Sequence, residues 1–182
     1  MKLFLIGYMG AGKTTVGRIM AEKANCSFID IDSFIENRYN KAITKIFEEK
    51  GEAGFREIEH RALQEISAYE NIVVSTGGGL PCFFDNMELM NKKGITIYLK
   101  ENIDELTKRL NSSKQNRPLI KEKNLEELQK FIEESLKERE LFYNQANIIF
   151  EVKKCTTKQA MNQWVKELLS QLSEDISNYY NK

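Results

Sequence analysis

A short glycine-rich stretch near the amino terminus has the residue types and spacing of a loop that holds nucleotide phosphates. It runs Gly7-Tyr8-Met9-Gly10-Ala11-Gly12-Lys13-Thr14, which fits the pattern Gly-x-x-x-x-Gly-Lys-Ser/Thr. Gly10 and Gly12 lack the Cβ atoms that would keep backbone N–H groups away from phosphate oxygens. Lys13 supplies positive charge to the β- and γ-phosphates, and the Thr14 hydroxyl is placed to bind Mg²⁺. The stretch therefore predicts a phosphate-binding loop.

The segments on either side supply the strand and the helix that such a loop requires. Residues 2–6 have the apolar run of a buried strand, and residues 14–23 have the pattern of an amphipathic helix. A helix that begins here adds the positive end of its dipole to the loop. A chance glycine-rich turn would not need this setting. The residues expected to hold the nucleotide phosphates are Gly10, Ala11, Gly12, Lys13, Thr14 and Thr15.

The rest of the chain alternates predicted strands with predicted helices. Further strands are expected at residues 27–29, 71–75, 95–99 and 148–150. Helices are expected at residues 34–39, 43–50, 53–68, 83–91, 103–110, 125–143 and 156–172. The alternation predicts a single doubly wound α/β domain over residues 1–182, with a five-stranded parallel sheet and ligands at the carboxyl ends of its strands. The tail, residues 173–182, is predicted to be frayed or weakly helical.

Charge and cysteine usage exclude several classes of function. The 27 basic and 27 acidic residues cancel, so no overall field favours nucleic acid or a membrane surface. No apolar run approaches membrane-spanning length, and the amino-terminal strand does not have the pattern of a signal peptide. Cys26, Cys82 and Cys155 are odd in number and far apart, which indicates reduced thiols. We expect a cytoplasmic monomer that binds neither nucleic acid nor membrane.

Two carboxylates, Asp30 and Asp32, follow the second predicted strand. We expect the two side chains to point to opposite faces, with one aspartate facing a substrate and the other facing a metal. A carboxylate beside an acceptor hydroxyl can orient it and take its proton. The alternative is a turn in which an aspartate only caps the next helix. The nearby phosphate loop favours the functional interpretation.

Four more motifs follow in one order along the chain. They are Phe55-Arg56-x-x-Glu59, Gly77-Gly78-Gly79, Arg117-Pro118-Leu119 and Arg139-x-x-x-Tyr143. With the phosphate loop and the aspartate pair, they make nearly the whole chain resemble the shikimate kinase family. The resemblance implies ATP-dependent phosphorylation of the 3-hydroxyl of shikimate, a step toward chorismate and the aromatic amino acids. It also implies a P-loop kinase fold with a helical substrate-binding insertion at about residues 33–62 and a lid at about residues 111–124.

The resemblance implies roles for the acidic residues and for the metal. By it, Asp32 meets the shikimate hydroxyls, and Asp30 supports Mg²⁺ through water beside Thr14. The third predicted strand ends in Ser75, without the aspartate that many P-loop proteins carry there, which leaves Asp30 as the carboxylate on the metal side. The catalytic residues implied in this way are Lys13, Asp32 and Arg117.

The resemblance also implies which residues bind the substrate. It places Arg56 and Arg139 at the substrate carboxylate, which suits the planar fork of a guanidinium group, although the charged sequence around Arg139 alone would favour a solvated helix residue. Arg56 also has Glu59 three residues on, close enough to fix its guanidinium group. The three glycines, Gly77, Gly78 and Gly79, would let the backbone lie against a sugar-like ring and donate N–H bonds, with Gly78 as the central contact.

Two arginines are implied on the nucleotide side. Arg117 lies in the predicted lid, where closure would bring it to the transferring phosphates and exclude water. Arg109 is placed near the nucleotide at the base of the lid. The family pattern would have an arginine seven residues before the Arg-Pro-Leu motif, whereas that position here is Leu110.

Other functions fit the sequence less well. Another small-molecule or nucleotide kinase, such as a relative of gluconate or adenylate kinase, shares the phosphate loop, but Arg56, Arg139 and the triple glycine favour a substrate with a carboxylate. A GTP-dependent switch usually carries Asn-Lys-x-Asp, and the nearest string here, residues 91–94, ends in glycine. His60 and Trp164 are predicted to have packing roles only.

Overall fold

A computed structural model describes residues 1–113, 120–152 and 158–180. Its centre is a five-stranded parallel sheet with the strand order β2-β3-β1-β4-β5. The strands are β1 (Lys2–Ile6), β2 (Ser27–Asp30), β3 (Ile72–Ser75), β4 (Ile95–Lys100) and β5 (Ile148–Glu151). The structure confirms the predicted doubly wound α/β fold.

Helices connect the strands and flank the sheet. They are α1 (Lys13–Ala24), α2 (Ile31–Tyr39), α3 (Ile43–Ile66), α4 (Asn86–Lys93), α5 (Ile103–Ser113), α6 (Leu125–Tyr143) and α7 (Lys158–Tyr180). A short 3-10 helix, Leu80–Cys82, lies between β3 and α4. Within the described ranges, no helix is long and apolar enough to cross a membrane.

The central strands are buried on both faces because helices cover the sheet. All five residues of β1 and all four of β3 are buried. Strands enclosed in this way read as continuous apolar runs rather than as alternating patterns, which is why the sequence signal for β1 was clear. Since parallel strands all end at the same edge, the segments that follow β1, β2 and β3 come together there.

Several element bounds differ from the sequence prediction. The two helices expected on either side of Gly51 form one element, α3, broken at Gly51, whose φ of 67° suits a residue without Cβ. Helix α4 begins at Asn86 rather than residue 83, because the 3-10 helix precedes it. The tail from residue 173, predicted to be frayed or weakly helical, continues α7 through Tyr180.

The segment predicted as a lid is partly described. Its first three residues continue α5 to Ser113, and its last, Asn124, caps α6. The Asn124 side chain accepts from the N–H of Glu127, and the Glu127 carboxylate accepts from the N–H of Asn124. Two backbone N–H groups at the start of the helix, which have no partner within the helix, are thereby hydrogen-bonded. Ile120 is fully buried. Residues 114–119, which include Arg117, lie outside the described residues.

Candidate functional site

The phosphate loop joins β1 to α1 at the carboxyl edge of the sheet. Gly10 and Gly12 have φ angles of 85° and 92°, which residues with a Cβ rarely adopt. The Lys13 side chain is buried and folds back into the loop, where its Nζ donates to the carbonyls of Gly7 at 2.7 Å and Tyr8 at 2.9 Å. The ammonium group is thereby held inside the loop rather than in solvent.

Thr14 and Asp30 meet on one side of this loop. The Thr14 Oγ1 donates to Oδ2 of Asp30 at 2.8 Å, and the Ser75 hydroxyl lies 3.5 Å from Thr14 Oγ1. Hydroxyl and carboxylate oxygens are the ligands that Mg²⁺ prefers, and this ion usually takes few protein ligands and keeps water and phosphate oxygens. The donor set fits the ion.

The predicted arrangement of Asp30 and Asp32 on opposite faces of one strand is wrong, because residues two apart on a strand would share a face. Strand β2 ends at Asp30, whose Oδ1 accepts from the N–H of Ser33 and caps α2, so Asp32 falls in the first helical turn. Both aspartates consequently line the same cleft. Burial raises the pKa of the Asp32 carboxyl, Asp30 adds to this, and the charge of Lys13 opposes it. A raised pKa makes this carboxylate a better proton acceptor.

The triple glycine lies where three elements come together. A Cβ at Gly77 would lie 2.7 Å from Oε1 of Glu59 and 3.2 Å from Oδ1 of Asp32. A Cβ at Gly79 would lie 2.7 Å from Nη2 of Arg56. Side chains at Gly77 and Gly79 would therefore collide with charged groups of the protein itself. The contact of the three glycines with a substrate stays a prediction.

The middle glycine connects the substrate side with the phosphate loop. A Cβ at Gly78 would lie 3.3 Å from the backbone nitrogen of Met9 and 3.6 Å from Nη1 of Arg139. The Tyr143 hydroxyl donates to the Gly78 carbonyl at 2.5 Å. Arg139 and Tyr143, one turn apart on α6, thus lie on the same side of Gly78, and Tyr143 bonds to it directly.

Arg56 is tightly held. Its Nη1 donates to Glu59 at 2.5 Å and its Nη2 donates to Glu52 at 3.2 Å, while the guanidinium carbon lies 4.5 Å from the centre of the Phe83 ring. The predicted pairing with Glu59 is confirmed. Glu59 is only 1% exposed, and burial raises its pKa to about 7 against the opposing influence of Arg56.

Arg139 is held differently from Arg56. Its guanidinium carbon lies 5.3 Å from the centre of the Tyr8 ring. No carboxylate among the described residues forms an ion pair with it. The site therefore combines one arginine whose charge is largely neutralised with another whose charge is not.

Arg109, rather than the residue after it, reaches the phosphate loop. Its Nη1 donates to the Gly10 carbonyl at 3.1 Å, and its Nη2 lies 2.8 Å from a carboxylate oxygen of Glu101. Leu110 is fully buried. The one-residue offset noted in the sequence thus puts the arginine on the cleft side of α5 and the leucine in the core.

A cleft of about 520 Å³ extends past the phosphate loop toward α7, and it is also lined by Asp30, Asp32, Gly77, Gly78 and Arg109. Val152, Met161 and Trp164 line its far end, and sequence reasoning missed all three as cleft residues. Trp164 is 3% exposed and packs edge-on against Phe150, so the predicted packing role is confirmed, but the residue also borders the cleft. Nothing in its apolar helical pattern distinguishes it from an ordinary core residue.

Comparison with known proteins fits this geometry. A family model described as shikimate kinase matches residues 9–172. The chain belongs to the shikimate kinase family. It is accordingly a phosphotransferase, and the family and fold expected from the sequence motifs are confirmed.

Individual relatives span nearly the whole chain. A shikimate kinase of Azobacteroides pseudotrichonymphae is 58% identical over 172 residues, which covers 94% of this chain and 99% of the relative. A solved structure of shikimate kinase from Bacteroides thetaiotaomicron is 46% identical, with a TM-score of 0.91, and covers 95% of this chain and 98% of that one. Shikimate kinase from Acinetobacter baumannii in complex with shikimate is 32% identical, with a TM-score of 0.86, and covers 96% of this chain and 93% of that one.

Proposed function

We propose that this protein transfers the γ-phosphoryl group of ATP to the 3-hydroxyl of shikimate, giving shikimate 3-phosphate and ADP in aromatic amino acid biosynthesis. One observation carries the proposal. The three consecutive glycines, Gly77, Gly78 and Gly79, lie beside the charged groups of the site, and the middle one also lies beside the phosphate loop. The side chains gathered in this way are Asp32, Arg56, Glu59 and Arg139.

This arrangement favours an acceptor that carries both hydroxyls and a carboxylate. Arg139 offers an uncompensated positive charge, and Arg56 offers a planar fork, so a carboxylate is bound between two guanidinium groups. Asp32 is an acceptor for hydroxyl protons. A neutral sugar would leave the Arg139 charge unmatched. Gluconate and AMP are also anions, so charge alone does not separate them from shikimate. Shikimate kinase is the better match because its family model spans residues 9–172 and a relative of that family is 58% identical.

The reaction needs little covalent chemistry from the protein. Lys13 stabilises negative charge that develops on the transferring phosphoryl group, and the backbone N–H groups of residues 10–15 hold the remaining phosphate oxygens. Asp32 orients the acceptor hydroxyl and takes its proton, which its raised pKa favours. Arg109 contributes positive charge at the nucleotide side of the cleft.

We assign residues 33–62 to substrate binding and residues 111–124 to a lid, within one domain over residues 1–182. The lid assignment rests on the Arg-Pro-Leu motif at residues 117–119 and on the polar composition of the segment. Arg117 closes onto the transferring phosphates in this proposal. Closure would exclude water, which would otherwise accept the phosphoryl group.

We also propose that the enzyme is a cytoplasmic monomer. Asp32, Arg56, Arg139 and the phosphate loop all come from one chain, so the site needs no second copy. Cys26 and Cys82 carry free thiols, which suits a reducing compartment. Cys155 lies outside the described residues.

We place Mg²⁺ beside Thr14, with Asp30 supporting it through water. The ion would neutralise phosphate charge when bound.

Asp30→Asn keeps the shape of the side chain and its capping acceptor but removes the charge, so the apparent affinity for Mg²⁺ should fall by about tenfold to a hundredfold. The measurement is the rate as a function of Mg²⁺ at saturating ATP and shikimate. Asp104→Asn, at an exposed aspartate on α5, is the matched control. An unchanged Mg²⁺ dependence in Asp30→Asn would exclude Asp30 from the metal site.

The contact between Gly79 and Arg56 gives a second prediction. Gly79 has φ −86° and ψ −23°, which any residue adopts, so Gly79→Ala strains no backbone. Its Cβ would instead displace Arg56, and the KM for shikimate should rise by about tenfold or more, since a charged hydrogen bond contributes ~1.5–3 kcal/mol. Affinity for ADP without shikimate should stay the same. A normal KM for shikimate would show that the position of Arg56 is not critical.

The proposed reaction is tested by offering alternative acceptors. ATP consumption is followed in a coupled assay with shikimate, quinate, gluconate and AMP, each over a full range of concentrations. We expect kcat/KM to be highest for shikimate by orders of magnitude. Comparable rates with gluconate or AMP would favour one of the other kinase activities instead.

A further inference from the structure

Three buried tyrosines come from the phosphate loop, β4 and α6. Tyr8, Tyr98 and Tyr143 are 1%, 2% and 0% exposed, and we call them the tyrosine cluster. The rings of Tyr98 and Tyr143 are 5.0 Å apart, and a Cβ at Gly7 would lie 3.4 Å from the Tyr98 ring. The reaction described above uses none of these rings directly, so their role needs a separate explanation.

Tyr8 touches the groups that serve both substrates. Its backbone carbonyl accepts from Nζ of Lys13 at 2.9 Å, on the side of the transferring phosphate. The centre of its ring lies 5.3 Å from the guanidinium carbon of Arg139, on the side of the acceptor. A guanidinium group within about 6 Å of a ring centre is attracted by the negative face of the ring. The same residue therefore borders the donor half and the acceptor half of the site.

Arg139 needs such a support because it has no carboxylate partner in the described part of the chain. Arg56 is fixed by Glu59 and Glu52, which also neutralise it. A carboxylate beside Arg139 would fix its position equally well, but it would compete with an incoming substrate carboxylate. An aromatic face orients a guanidinium group without neutralising its charge. The Tyr143 hydroxyl lies beside Arg139 as well.

We propose that Tyr8 is a positioning residue whose ring holds Arg139 in the orientation that receives the substrate carboxylate. The inference rests on the proposed function of Arg139 as a carboxylate-binding residue. If the ring acts in this way, Tyr8, the second residue of the phosphate loop, takes part in recognition of the acceptor. Because the Tyr8 carbonyl also holds Lys13, the residue sets the distance between the donor phosphate and the bound acceptor.

The test is a double-mutant cycle on Tyr8 and Arg139. Tyr8→Leu removes the aromatic face, so the KM for shikimate should rise by about threefold to thirtyfold, whereas Tyr8→Phe keeps the face and should stay within about twofold of the wild type. In an Arg139→Ala background, Tyr8→Leu should have no further effect on this KM, because the ring acts only through Arg139. The Kd for ADP, measured without shikimate, monitors the phosphate loop in every variant.

Each outcome of the cycle has one meaning. If Tyr8→Leu raises the KM for shikimate equally in the presence and absence of Arg139, the ring serves general packing and the inference is wrong. If Arg139→Ala weakens shikimate and Tyr8→Leu does not, the inference fails while the proposed function stands. If Arg139→Ala itself leaves shikimate unaffected, the role proposed for Arg139 fails, and the inference fails with it.

A second replacement covers the case in which Tyr8→Leu does not fold. Pentafluorophenylalanine at position 8 keeps the size of the ring but reverses the charge of its face. We expect this protein to bind ADP normally and to show a KM for shikimate at least about threefold above that of Tyr8→Phe. Equal KM values for the two rings would overturn the inference.

Discussion

Lys13→Met should nearly abolish phosphoryl transfer while leaving a folded protein that still binds shikimate. Removing a single donor that stabilises transition-state charge costs about a hundredfold to a thousandfold in kcat, and Lys13 carries a full charge. We therefore expect a loss of at least about a thousandfold. Its Nζ already lies inside the loop, on the carbonyls of Gly7 and Tyr8, so little rearrangement is needed for it to reach a bound phosphate.

The measurement separates chemistry from binding. Single-turnover rates with ATP and shikimate report the transfer step, and a titration with shikimate alone reports the acceptor site. Lys93→Met, at an exposed lysine on α4, controls for the loss of one positive charge. A folded Lys13→Met protein that keeps a tenth of the wild-type rate would show that Lys13 does not stabilise the transferring group.

Arg139→Ala and Arg56→Ala should each weaken shikimate by about tenfold to a hundredfold or more, because a charged hydrogen bond contributes ~1.5–3 kcal/mol. ADP affinity without shikimate should hardly change in either variant, since neither arginine belongs to the phosphate loop. Arg→Lys should also be damaging at both positions, because a point charge does not reproduce the planar fork. Separate titrations with shikimate and ADP measure both effects. Loss of ADP binding with shikimate binding intact would move these arginines to the nucleotide side.

The two arginines should differ in their effect on stability. Arg56→Ala leaves Glu59 buried without its partner, and a buried group that loses its partner is costly. Arg139→Ala removes a charge that is not paired with a carboxylate in the described part of the chain. The free energy of unfolding should therefore fall more in Arg56→Ala. Adding Glu59→Gln to Arg56→Ala should recover part of this stability without recovering shikimate binding, which distinguishes the two roles of Arg56.

The parts of the site that the sequence predicted well are those encoded locally. The phosphate loop is defined by spacing within eight residues, and the strand and helix around it follow from apolar patterns. The pairing of Arg56 with Glu59 follows from their separation by three residues on a helix. Such features need no knowledge of how distant segments pack.

The features that the sequence did not predict depend on tertiary packing or on whether a residue belongs to the end of a strand or to the start of the next helix. The aspartates were misplaced because residues two apart on a strand share a face rather than opposing each other. In addition, Asp30 caps α2 and ends the strand, so Asp32 has helical rather than strand geometry. Trp164 borders the cleft because α7 packs against α1, which its own helix pattern does not reveal. The contact of Tyr8 with Arg139 joins two residues that are far apart in the sequence, so no local pattern predicts it.

The central claim is that the cleft carries a phosphoryl group from ATP to one hydroxyl of shikimate. The most direct measurement is to incubate the protein with ATP, Mg²⁺ and shikimate and to locate phosphorus in the product by phosphorus–proton NMR correlation. We expect one phosphorylated product, with its phosphorus coupled to the proton on carbon 3 of the ring. Phosphorus at another hydroxyl, or ATP hydrolysis without a phosphorylated acceptor, would contradict the claim.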